Sequence, residues 1–284
     1  MIDKAALDTG FKPNWCPGCG NFGIWLALKQ ALVELDLTHE EVVVVCGIGC
    51  HGHMCNFVKA YTFEGLHGRP IPVAEGIKLA NNGLKVIVVA GDGDTFGEGM
   101  NHFLSGIRGN HDVTLLVHDN RIYALTTGQA SPTSQKGYKS KSTPTGVIEV
   151  PVNPLALAVA QGGSFVARGF SADPKQLVAL IKAGIRHRGF SFIDVMQNCA
   201  TFNKLNTVTW FKEHSYKLED EKHDPSDRMR AMERALDSER LGTGIFYQDK
   251  REAYDEDVPA EHGKPFVDHD IENVNITESM EQFT

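Results

Sequence analysis

What the sequence lacks narrows it first. No apolar run among its 284 residues approaches the roughly 20 needed to cross a bilayer. No block of lysine and arginine offsets the net charge of −8, which argues against a nucleic-acid-binding face. The opening residues, MIDKAALDTGFKPNW, hold no hydrophobic leader core. The expectation is a cytoplasmic protein without membrane contact. Internal repeats and low-complexity tracts are absent. Six cysteines occur (Cys16, Cys19, Cys46, Cys50, Cys55 and Cys199), but there is only one CxxC, so the second pair of a zinc ribbon is missing. In a reducing compartment such thiols indicate metal or redox chemistry rather than a disulfide frame.

What is present is an alternation of two periods. Helical apolar spacing covers 21–35, 77–82, 100–110, 155–161 and 174–188. Short continuous apolar runs cover 41–46, 84–90, 113–120 and 190–196. Continuous apolar strands between helices predict an α/β fold, a parallel sheet covered by helices on both faces. Ligands of such sheets bind beyond the carboxyl ends of the strands. The four chemistry-rich stretches follow the four strands: GIGC at 47–50, GDGD at 91–94, Asp119-Asn120, and NCATFN at 198–203. One shared site is expected. Residues 1–210 form the expected domain. From 211 to 284 the chain becomes charged and weakly periodic, and it reads as an extension that packs on a partner subunit or stays disordered.

Gly91-Asp92-Gly93 is by itself an ordinary turn. The next strand, however, ends in Asp119-Asn120, with 25 residues between Gly93 and Asp119. Neighbouring parallel strands bring Asp92 and Asn120 to one edge. A carboxylate and an amide oxygen, with room for phosphate oxygens, suit six-coordinate Mg²⁺, and the glycines let the backbone approach a diphosphate. Cys16-Pro-Gly-Cys19 is compatible with a thioredoxin-like pair, half a zinc site or half an iron–sulfur site. No strand precedes it, unlike a thioredoxin pair. A [4Fe–4S] cluster, zinc and unligated thiols all stay open on these residues alone.

Two resemblances extend this reading. GDG, the spacer and the Asn-containing pair resemble the thiamine-diphosphate motif. That implies Asp92, Asn120 and the main-chain carbonyl of Ile122 as Mg²⁺ ligands, with Asp119 where the family usually has asparagine. WCPGCG, GIGC, HGR, GDGD, DNRIYALTTGQASPTS and NCATFN occur in the order and at spacings like those of the β subunit of 2-oxoacid:ferredoxin oxidoreductases, from Trp15 to Trp210. The chain resembles that family.

The second resemblance implies Cys16, Cys19, Cys50 and Cys199 as [4Fe–4S] ligands. It implies Ile48, Gly49, Cys50, His51, His67, Gly91, Gly93, Asp94, Ala124 and Leu125 around thiamine diphosphate. His51 and His53 stand where the family commonly has a lysine or arginine, and so become the candidates for the substrate carboxylate. Arg69 is expected in a structural or subunit contact. Trp15 is expected to pack the cysteine loop, with Cys46 and Cys55 as core thiols. Arg168 is left to pair with phosphate or the acidic tail. Lys136, Lys139 and Lys141 read as a solvated loop, or as a contact to coenzyme A or ferredoxin.

The implied reaction is coenzyme A-dependent oxidative decarboxylation of a 2-oxoacid, or its reverse, with ferredoxin as the electron outlet. 2-Oxoglutarate is favoured over pyruvate. Thiamine enzymes also need a glutamate against the aminopyrimidine, which normally comes from a separate pyrimidine-binding domain. The expectation is therefore an α subunit and an αβ or (αβ)₂ assembly. Two rivals remain. A non-oxidative thiamine decarboxylase leaves the cysteines without a role. A non-catalytic, metal-bearing assembly protein leaves the Mg²⁺-diphosphate constellation unexplained.

Overall fold

The computed structural model describes residues 3–257, 265–270, 272 and 275–283. Its centre is an eight-stranded sheet. In chain order the strands are β1 (Val42–Cys46), β2 (Tyr61–Glu64), β3 (Lys85–Gly91), β4 (Val113–Asp119), β7 (Phe165–Phe170), β8 (Ser191–Met196), β9 (Ser215–Lys217) and β10 (Leu241–Gln248). β5 (Ile122–Tyr123) and β6 (Gln129–Ala130) form a separate small hairpin. The spatial order is β2-β1-β3-β4-β8-β7-β10-β9, parallel throughout except where β10 runs against β7.

Residues along β1 alternate between two cores. Val42, Val44 and Cys46 pack under α1 (Asn21–Glu34) and α5 (Pro174–Arg186). Val43 and Val45 face the opposite way, under α2 (Pro70–Ala80), α3 (Met100–Gly109), α4 (Pro154–Gln161) and α7 (Arg228–Leu236). A period of two with both sets buried is what a sheet covered on both faces requires.

The α/β architecture is as expected, with additions at its edges. α2 begins at Pro70, seven residues before the expected helix at 77. Its prolines occupy the first turn, where backbone N–H groups have no partner within the helix. β7 escaped notice because Arg168 interrupts its apolar run. That arginine is buried, and its Nε donates to Asp194 Oδ2 on β8 at 2.9 Å, so it serves the sheet rather than a phosphate or the tail. Beyond residue 210, α6 (Val208–His214), β9, α7 and β10 continue the same sheet. Among the described residues no helix is long and apolar enough to cross a membrane.

Candidate functional site

The strands that carry the four chemistry-rich stretches, β1, β3, β4 and β8, are consecutive neighbours in the sheet. In the parallel register Gly91 pairs with His118, so Asp92 leaves β3 level with the end of β4. The carboxyl ends of these strands open into two cavities.

The first, of about 80 Å³, is lined by Ile48, Gly49, Cys50, His51, His67, Gly91 to Asp94, Asn120 and 122–126. Asp92 is fully buried. Its Oδ2 accepts from Ser131 Oγ and from Thr133 Oγ1, the latter at 2.7 Å. Thr133 Oγ1 also lies 2.9 Å from Asp119 Oδ1, yet a hydroxyl carries one hydrogen. Burial, then the charges of Asp194 and Asp92, push Asp119 up to about 8. Thr133 therefore serves one of the two carboxyls at a time, and Asp119 Oδ1 also accepts from Arg121 N at 3.2 Å. Burial raises Asp92 itself to about 6. Arg121 has a positive φ of 61° and turns the chain between Asn120 and Ile122. Asn120 Oδ1 accepts from Ile122 N at 3.0 Å. A fixed carboxylate, an amide oxygen and a carbonyl are hard oxygen donors that fit Mg²⁺.

The glycines around this cavity make room for particular side chains. A Cβ on Gly49 or Gly91 would meet the His51 ring at 2.4 or 2.7 Å. One on Gly93 would meet the Tyr123 ring at 2.2 Å. Asp94 Oδ1 accepts from Gly68 N at 2.8 Å and from Ile48 N at 3.3 Å, with His67 Nδ1 at 2.9 Å. It ties the three loops together. His51 is buried, and desolvation followed by the nearby His118 holds it well below the usual histidine range, hence neutral. It offers a hydrogen bond rather than a charge. Burial likewise holds His118 down to about 3.

The second cavity, of about 230 Å³, is lined by Cys16, Cys19, Cys50 and Cys199 together with His53, Trp15 and Gln197. Trp15 Nε1 donates to Cys50 O at 2.6 Å and its ring packs on Phe22 and Phe57, so it does brace the cysteine loop. Burial pushes the Cys50 thiol up to about 11, and the nearby Cys19, Cys199 and Cys16 add to the shift. Burial raises the Cys19 thiol as well, and the neighbouring Cys199 and Cys16 add to that shift. Among the described residues no three His, Cys, Asp or Glu converge on a point that a single ion would occupy. Four soft sulfur donors lining one pocket fit an iron–sulfur group. Cys46 and Cys55 lie apart from this cavity, in the core under α1.

The structure thus separates the two candidate histidines: His51 faces the first cavity and His53 the second. Cys50, Asn120, Ala124 and Leu125 are walls of both, so the cavities adjoin. Thr126, in a loop of small residues expected close to ligand, does line the first cavity, whereas Tyr123, Ser131, Thr133 and Gln197 were not singled out from the sequence. Nothing in a polar loop or at a strand end marks a hydroxyl or an amide as support for a ligand. Arg69 donates to the carbonyls of Gly68 and Glu98, a structural contact.

This fold and site define a thiamine-diphosphate-binding protein. Residues 47–195 match the family described as thiamine pyrophosphate enzyme, C-terminal TPP binding domain, and residues 199–262 match the C-terminal family of the pyruvate ferredoxin oxidoreductase beta chain. The chain is 44% identical over 275 residues to a 2-oxoacid:ferredoxin oxidoreductase subunit beta of Saccharolobus solfataricus, covering 91% of this chain and 90% of that one. It is 40% identical to the 2-oxoglutarate synthase subunit KorB of Methanocaldococcus jannaschii, covering 66% and 70%. It superimposes with a TM-score of 0.92 and 33% identity on 2-oxoglutarate:ferredoxin oxidoreductase from Magnetococcus marinus, solved with 2-oxoglutarate, coenzyme A and succinyl-CoA bound, covering 100% and 96%. The chain belongs to the 2-oxoacid:ferredoxin oxidoreductase β-subunit family and is a subunit of an oxidoreductase.

Proposed function

We propose that this β subunit acts on 2-oxoglutarate, in coenzyme A-dependent oxidative decarboxylation to succinyl-CoA or the reverse, with electrons leaving through a [4Fe–4S] cluster to ferredoxin. The observation that carries it is the shared wall: a cavity of hard oxygen donors and a cavity of four cysteines meet at Cys50, Asn120, Ala124 and Leu125. In this reading Asp92, Asn120 and the Ile122 carbonyl hold Mg²⁺ and the diphosphate, and Cys16, Cys19, Cys50 and Cys199 hold the cluster. Bound thiamine diphosphate supplies an electron sink at the carbon that loses CO₂.

The chain's own residues bind, orient and exclude water. Ser131 and Thr133 fix Asp92, Asp94 clamps the loops over the diphosphate, and neutral His51 is a hydrogen-bonding partner for the cofactor or a substrate carboxylate. His53, in the cysteine cavity, is the other carboxylate candidate. Lys136, Lys139 and Lys141 are exposed, which suits solvent or an acidic partner. The choice of 2-oxoglutarate over pyruvate is supported by the names of several relatives and by the ligands of the structural neighbour.

A cavity of about 80 Å³ is far below the roughly 300 Å³ of a small-molecule site. Leu125 and Phe202, at the cavity walls, are 48% and 37% exposed. Both facts favour a second chain closing the site, an α subunit with the pyrimidine-binding domain, in an αβ or (αβ)₂ assembly. Exposed residues of the segment beyond 210, such as Met229 and Leu236, would share that contact. Full activity of the purified β chain alone would refute the need for a partner.

The deciding experiment is an anaerobic assay of the chain co-expressed with its α subunit, following coenzyme A-dependent dye or ferredoxin reduction with 2-oxoglutarate and with pyruvate. Preferential use of 2-oxoglutarate is expected. Reduction with neither acid, from protein that holds iron and thiamine diphosphate, would favour the non-oxidative rival. Cys199→Ser should remove the broad visible absorbance while Mg²⁺-dependent cofactor binding persists; an unchanged spectrum would sink the ligand assignment. Cofactor affinity should also depend on pH through Asp92. Its raised folded value, about 6, means the carboxylate is lost as pH falls through 6. Affinity should be flat above that and weaken about tenfold per unit below it. An affinity independent of pH from 5 to 7 would contradict Asp92 as the ligand.

A further inference from the structure

Gln197 is 1% exposed, directly after β8, in the wall of the cysteine cavity. Its Nε2 lies 3.6 Å from Cys19 Sγ, within range for an N–H···S bond. On its other side it contacts His118, yet His118 Nε2 and Gln197 Oε1 are both buried without an assigned partner. Next to His118, Asn21 Oδ1 is 2.8 Å from Nδ1, while Asn21 Nδ2 is buried and unpartnered. A neutral imidazole has one N–H.

One arrangement supplies donors to all of these contacts. Turning the Asn21 amide by 180° lets its NH₂ donate to His118 Nδ1. The imidazole hydrogen then sits on Nε2 and donates to Gln197 Oε1. Gln197 NH₂ donates to Cys19 Sγ. The three contacts then form a single chain in which every bond points the same way, and His118 Nε2 and Gln197 Oε1 gain partners. Such chains polarise along their length. This one delivers positive dipole to the sulfur of Cys19, which also receives the backbone N–H of Asn21 at the start of α1.

We infer that Gln197, backed by His118 and Asn21, is a positioning residue that raises the reduction potential of the iron–sulfur group through Cys19. This rests on the cluster reading proposed above. A hydrogen bond to a ligating sulfur favours the more negative, reduced state.

The test is an EPR-monitored redox titration of the complex of this chain with its α subunit. Gln197→Met keeps volume and removes the N–H. At the wild-type midpoint it should hold about tenfold less reduced cluster relative to oxidised, which for one electron is a shift of about 59 mV downward. Gln197→Glu keeps the shape and puts an acceptor against the sulfur, so it should shift further in the same direction. His118→Phe should shift the midpoint downward by less. Wild-type midpoints in both Gln197 variants, with full iron content, would overturn the inference. So would loss of iron in both, which makes Gln197 a structural prop. Absence of any reducible iron–sulfur signal in the wild-type complex would instead overturn the cluster reading itself.

Discussion

Asp92→Asn should abolish Mg²⁺-dependent thiamine diphosphate binding without unfolding the chain. Asp92 is fully buried, and burial raises its carboxyl to about 6, so the folded protein holds the charge at a cost. Asparagine keeps the shape and still offers an oxygen to Ser131 and Thr133, whose hydroxyls both meet Oδ2. What disappears is the only carboxylate among the proposed Mg²⁺ ligands. Affinity should fall on the order of 100-fold or more, since even outer partners of a metal site are worth 10–100-fold. The Tm of the cofactor-free protein should stay level or rise, because a desolvated charge is gone. Calorimetric titration with thiamine diphosphate at fixed Mg²⁺, together with thermal melts, reads both. A variant that binds normally would remove Asp92 from the site; one that melts far lower would make it a structural residue.

Gly47→Ala should damage the fold and the site together. A Cβ at Gly47 would stand 1.7 Å from Asp94 Oδ2, closer than any side chain tolerates, with Pro70 at 3.1 Å behind. Asp94 cannot withdraw freely, because its other oxygen is held by Gly68, Ile48 and His67. Relief requires breaking that clamp. Overpacking of this kind costs about 1–3 kcal/mol, or a Tm lower by roughly 3–10 °C in a domain of this size. Cofactor binding should fall with it, because the loops after β1 and β3 lose their common tie. The double variant Gly47→Ala with Asp94→Ala separates the causes. If the clash is the mechanism, removing the carboxylate recovers part of the lost Tm. If Tm does not recover, the strain lies in the backbone of the turn.

Much of this site is legible in the chain alone, for a simple reason. Strand ends, glycine turns and the CxxC are contiguous, so short-range spacing records them. The continuous apolar runs EVVVV, KVIVVA and VTLLV announce a sheet buried on both faces, and GIGC, GDGD, Asp119-Asn120 and NCATFN follow strands that prove to be neighbours. The six motifs named the family that relatives at 40–45% identity support.

Other features are decided by side-chain contacts between distant residues. β7 completes the sheet although Arg168 interrupts its apolar run, because Arg168 finds Asp194 26 positions away and leaves no bare charge in the core. His51 and His53 are two positions apart yet face different cavities, because the 3-10 turn Cys50–Asn56 rotates successive side chains apart. Thr133 takes one proton's worth of hydrogen bonding to two carboxylates, and so couples Asp92 to Asp119. Gln197 reaches Cys19 across 178 positions of chain. A periodicity or a motif records which residues are near in sequence. Only packing decides which polar atoms are left facing one another in a place that water does not reach, and there the chemistry of this subunit is set.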